Sequence, residues 1–122
     1  MARKSMLVTQ DIIETRVSKK EENKMLKTYY HATPYENLES IMDQGILRGC
    51  DGVVYLTEKP YEAARFVVIR GCNKILVLGI EMDENLVKES FDHSQAFFKC
   101  RAYTYPEDIP ADEITEFLKY ER

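Results

Sequence analysis

Apolar positions along this 122-residue chain come in short runs, separated by glycine, proline and charged clusters. Thr28, Tyr29, Tyr30 and His31 read as a short strand. A helix start follows, with Thr33 at the cap, Pro34 at the first helical position, where its missing N–H does no harm, and Glu36 three residues past the cap. Leu38, Ile41 and Met42 form the stripe that this helix would bury, and Gly45 is its natural stop. Gly52 opens a second strand that ends Val54, Tyr55, Leu56, Thr57. Pro60 then starts a second helix, which turns Ala63, Ala64, Phe66 and Val67 to the core and closes at Arg70 and Gly71. The nearly continuous run Ile75, Leu76, Val77, Leu78, Gly79, Ile80 predicts a central strand buried on both faces. Residues 97–105 predict a further strand ended by Pro106. Ile109, Pro110, Ala111 and Asp112 start a last short helix carrying Ile114, Phe117 and Leu118. The order β-α-β-α-β-β-β-α, with strands concentrated after the helices, predicts an α+β domain rather than a doubly wound sheet.

The first 27 residues have a different texture. Ile12, Ile13, Val17 and Leu26 sit amid dense charge that includes the run Lys19, Lys20, Glu21, Glu22, Asn23, Lys24. That spacing permits one or two amphipathic helices, and the mixed signs suit a solvated face. The expected organisation is an N-terminal helical extension over residues 1–27 and one domain over residues 28–122.

Composition narrows the class of protein more than its chemistry. Hydrophobic residues make up 44% and charged residues 31%, ordinary for a globular domain, and the net charge of -4 disfavours a general nucleic-acid binder. Cys50, Cys72 and Cys100 are odd in number and widely spaced, so neither a disulfide framework nor a zinc site is expected; they read as small buried hydrophobes. No window approaches the length of a membrane-spanning helix, and two distant histidines with scattered carboxylates give no metal-ligand spacing. The expectation is a cytoplasmic protein with no metal and no membrane partner.

The two strand ends carry the candidate chemistry. The segment from His31, Ala32, Thr33 and Pro34 through Leu38 and Ile41 to Gly45 and Ile46 resembles the first motif of the ADP-ribosyltransferase fold. There, a strand ending in His-Gly-Ser/Thr leads into a helix containing Ile-Leu and then a Gly-Leu pair. Gly52, Val53, Val54, Tyr55, Leu56 and Thr57, followed by Ala63, Ala64, Arg65 and Phe66, are similar to the second motif. In the poly(ADP-ribose) polymerase-like branch that motif has a strand tyrosine and, eleven residues later, a helical aromatic; Tyr55 and Phe66 keep the spacing. Asp108 to Ile114 resemble the closing turn and helix of RNA 2′-phosphotransferases, which share the fold. The resemblance spans roughly residues 29–118.

It implies a split antiparallel β-sheet core flanked by short helices, and a transferase (a glycosyltransferase in kind) that consumes NAD as substrate. His31 would hydrogen-bond the adenosine-side ribose. The backbone of Ala32 would grip the nicotinamide amide with help from the Thr33 hydroxyl, and Tyr55 and Phe66 would sandwich the ring. Arg70 and Arg101 lie where the RNA 2′-phosphotransferases place phosphate-binding arginines, whose planar fork suits phosphate oxygens. His31, Tyr55 and Arg101 are therefore the candidate catalytic residues, and His31, Ala32, Thr33, Tyr55, Phe66 and Arg70 the candidate NAD-binding set.

Two departures stand out. Ala32 replaces the family's usual glycine, and residues 98–105 have no carboxylate where the family has a late-strand glutamate; Gln95, Arg101 or Glu107 would have to substitute. Transfer of a single ADP-ribose to a protein or nucleic-acid acceptor, RNA 2′-phosphotransfer, and an inactive ADP-ribose-binding or partner-binding module all remain open. So do the bland readings: His31 as a strand-end histidine satisfied by a backbone carbonyl, Tyr55 and Phe66 as core, the arginines as surface ion pairs, and Asp92, His93 and Gln95 as a turn. Neither the acceptor nor the oligomeric state follows from the residues.

Overall fold

The structure, a computed structural model, describes residues 9–16, 26–49, 52–90 and 102–121. Among the described residues, seven strands form one antiparallel sheet: β1 (Thr9–Thr15), β2 (Leu26–Pro34), β3 (Val54–Thr57), β4 (Lys74–Asp83), β5 (Lys88–Ser90), β6 (Ala102–Tyr105) and β7 (Ile114–Glu121). Their order across the sheet is β1-β7-β4-β2-β3-β6-β5. Two short helices, α1 (Leu38–Gln44) and α2 (Pro60–Val68), complete an α+β architecture.

The run at 75–80 is the strand that its sequence predicts. In β4, Ile75, Leu76, Val77, Leu78 and Ile80 are all fully buried, between β7 on one side and β2 on the other. Alternate residues serve opposite faces. Leu76, Leu78 and Ile80 join Tyr29, Leu56, Phe117 and Ile41 of α1, together with Ile46 and Ile109, in one core cluster. Ile75 and Val77 join Leu118, Tyr120 and Ala63, Ala64, Val67 and Val68 of α2 in a second. Gly45 ends α1 with φ of 82°, and a Cβ there would lie 2.1 Å from the Ile109 carbonyl oxygen. Only glycine lets that backbone come so close, and the neighbouring Ile46–Ile109 bridge holds the contact.

Three expectations are corrected. The last helix is a strand: after a 3-10 turn (Ala111–Glu113), β7 runs beside β4. Ile114, Phe117 and Leu118 imitate helical spacing because β7 is buried on both faces and contains a bulge. Glu116 pairs with Gly79 and Ile114 with Ile80, so Thr115 is an extra residue, its hydroxyl donating to the Gly79 carbonyl at 3.1 Å. That one-residue slip puts Ile114 and Phe117, three apart, on the same face.

The described part of the N-terminal extension, Thr9–Thr15, is a strand paired with β7 and not a helix. Its own register shift, between Ile12 and Glu14, breaks the alternation that would have marked it. Residues 1–8 and 17–25 lie outside the described residues, and Leu26, assigned to the extension, begins β2. The third correction concerns α1. It starts at Leu38 after a 3-10 turn (Tyr35–Asn37), Thr33 and Pro34 belong to β2, and Met42 is exposed. The predicted strand at 97–105 is described only from Ala102 on. Among the described residues, no helix is long and apolar enough to cross a membrane.

Candidate functional site

The sheet is made of two blocks that meet at one point. β2 pairs with β4 over nine residues, from Leu26↔Asp83 to Pro34↔Ile75, and β3 pairs with β6 over its full length. Between β2 and β3, the described pairing is the single pair Tyr30↔Thr57. Past that pair, the His31 ring bridges the gap, its Nδ1 lying 2.8 Å from the Tyr55 carbonyl oxygen. A carbonyl can only accept, so Nδ1 carries the proton and, in the neutral ring, Nε2 is left as the acceptor. Burial pushes the His31 pKa below the ordinary imidazole value, and the hydrogen bond to Tyr55 offsets this only in part.

Beside this junction, under α2, lies a cleft of about 410 Å³, within the range of small-molecule sites. Small side chains leave it empty: Ala32 on β2, Thr57 on β3, Ala63 on α2 and Ala102 on β6. Larger ones wall it: Tyr30, His31, Tyr55, Phe66 and Arg70. Tyr55 is 44% exposed, unlike its buried neighbours Val54 and Leu56, because it points to the cleft face while they enter the core. The Thr57 hydroxyl donates to the Lys59 carbonyl at 2.8 Å, and that carbonyl also accepts the Ala63 N–H in the first turn of α2. This local link places α2 relative to β3 and so brings Phe66 to the cleft that Tyr55 lines. On the opposite face, Glu58 accepts from the Tyr103 hydroxyl at 2.7 Å and pairs with Lys27, tying the end of β3 to β6 and β2.

Of the candidate NAD-binding residues, His31, Ala32, Tyr55, Phe66 and Arg70 come together here, and Thr33 does not. The Thr33 hydroxyl accepts from the Asn37 side chain at 2.7 Å. Arg101, Gln95, His93, Cys50 and Cys100 lie outside the described residues, while Cys72 packs partly buried against the α2 cluster. Glu107 is exposed in the bend after β6 and does not line the cleft. The described part of β6 contributes Ala102 to the lining, and among the described residues no carboxylate does. His31 thus satisfies the bland reading, being held by a backbone carbonyl, and also lines the cleft.

Tyr30 and Glu116 escape the sequence reading. Tyr30 lines the cleft, and its ring packs beside the Glu116 side chain of β7 over Gly79 of β4. Burial first, and then the nearby carboxylate, push its pKa up. Tyr120, on the same face, is pushed up to about 12, chiefly by burial, and donates to Gln10 of β1 at 2.7 Å. The one available signal was Gly79, an isolated glycine inside an apolar strand, which marks a close approach. Assigning β7 to a helix hid its partner. No protein-family model matches the chain, and a search of curated proteins also finds no match.

Proposed function

We propose that the chain is an NAD-binding, ADP-ribosyltransferase-like protein that transfers a single ADP-ribose to a protein or nucleic-acid acceptor. The observation that carries this reading is the meeting of His31, Ala32, Tyr55, Phe66 and Arg70, from β2, β3, α2 and the turn after α2, around one cleft. In this reading the Nε2 of His31 accepts from a ribose hydroxyl, since its Nδ1 is already committed to Tyr55. Tyr55 and Phe66 hold the nicotinamide ring, and the Arg70 guanidinium meets the diphosphate. A flat leaving group gripped in a partly dry cleft favours loss of nicotinamide and an oxocarbenium-like ribose, which the acceptor attacks.

A second reading, ligand binding without turnover, draws on Ala102. On the described part of the late strand, the cleft-lining position has a methyl group instead of an acid. Incubation with NAD and a panel of protein and nucleic-acid acceptors, scored by nicotinamide release, separates the two. The transferase reading expects release that falls at least tenfold in His31→Ala and in Tyr55→Ala. Calorimetric binding of NAD or ADP-ribose without release favours the second reading, and absence of both binding and release sinks both.

A further inference from the structure

Behind one wall of the cleft lies a negative charge that the reading above leaves unused. Tyr30, Gly79 and Glu116 stand directly opposite one another on β2, β4 and β7. The space over Gly79 is filled by its two neighbours. A methyl group there would lie 3.1 Å from Cε1 of Tyr30, 3.0 Å from Cβ of Glu116 and 3.3 Å from its Cδ. The glycine therefore lets the tyrosine ring and the carboxylate pack side by side over β4. Among the described residues Glu116 is in no ion pair. The cleft thus has three aromatic walls, Tyr30, Tyr55 and Phe66, and one of the three is backed by a carboxylate.

We propose that the Tyr30–Glu116 pair makes the cleft select a flat, positively charged heteroaromatic ring, of the kind carried by oxidised NAD, over the neutral form of the same ring. An aromatic face attracts a cation. The carboxylate also adds its own field, through a protein interior that screens less than water. Arg70, on the same cleft, suits phosphate, so the two charges together orient a ligand that carries both a cationic ring and a diphosphate. Glu116 is here a positioning residue that acts from behind the Tyr30 ring, and the selected ring is the one the proposed function would bind.

The test uses two pairs of small probes on the full chain, followed by NMR titration: 1-methylnicotinamide (cationic) against nicotinamide (neutral), and NAD against NADH. The wild-type protein is expected to bind the cationic probe at least about threefold more tightly than the neutral one, the size of one partly screened charge. Glu116→Gln keeps the shape and removes the charge. It is expected to bring the ratio close to one while leaving neutral-probe affinity unchanged, a separation that a merely structural role would not produce. Equal binding of both probes by the wild type, no binding of either, or an equal loss of both in Glu116→Gln overturns the inference. If Glu116→Gln does not fold, Glu116→Met decides, since it fills a similar space without the charge and is expected to lower the ratio. NAD binding with no effect of either substitution on the ratio removes this inference and leaves the proposed function standing. Cation selection that depends on Glu116 but comes without NAD binding does the reverse.

Discussion

The two faces of the sheet use the same strands yet are built for different ends. On the α1 face, Leu76, Leu78, Ile80, Phe117, Ile41, Ile46 and Ile109 interlock, and most are fully buried. On the α2 face, Ala63, Ala64, Val67 and Val68 pack against Ile75 and Val77, and around Ala32, Thr57 and Ala102 the packing opens into the cleft. Large branched side chains fill space and stabilise; alanines let a helix sit close and leave room beside it. One face is packed solid, and the other leaves a cleft beside its helix. The contrast can be broken or sharpened by substitutions on each.

The largest effect is expected from Phe117→Ala on the α1 face, about 3–5 kcal/mol lost in urea denaturation, because a fully buried ring leaves a cavity that β4 and β7 cannot close. Gly45→Ala comes next. The positive φ and the collision with the Ile109 carbonyl should cost about 2 kcal/mol or more, visible as a lowered Tm. On the α2 face the pattern should invert. Ala102→Leu grows into open cleft and should change stability by under about 1 kcal/mol while abolishing NAD binding in calorimetry. If it unfolds the protein, the cleft is not the free space described above. Tyr55→Ala, at a 44% exposed side chain, should leave stability within about 0.5 kcal/mol and weaken NAD binding at least tenfold.

The smallest effect is a pH dependence carried by His31. In the unfolded chain its imidazole takes up a proton near 6.5, and in the folded protein only at lower pH. Below 6.5 the unfolded chain therefore binds more protons, and stability falls as the pH drops toward the folded value. The stability–pH curve of His31→Asn should be flatter than wild type in that window; parallel curves would show that His31 is not the group responsible.

The legible parts of this protein were local. The apolar run at 75–80, the proline that opens α2 and the eleven-residue step from Tyr55 to Phe66 each depend on neighbours in the chain, and each has its counterpart in the structure. The illegible parts depend on what lies across the sheet. β7 was hidden by a bulge at Thr115, the extra residue between the pairs Glu116↔Gly79 and Ile114↔Ile80, and β1 by a register shift against β7. Thr33 looked like a helix cap, but it pairs with Leu76 on β4 and so remains in the strand.

Residue types and their spacing were thus enough to determine an α+β domain, because helix starts, buried runs and strand ends are written over a few consecutive residues, and the resemblance of two motifs nominated His31, Ala32, Tyr55, Phe66 and Arg70. That these five surround one space, that Thr33 stays outside it, and that Glu116 reaches Tyr30 over Gly79 were decided only by the tertiary structure. Each of those facts depends on strand order and register, set by packing between residues dozens of positions apart.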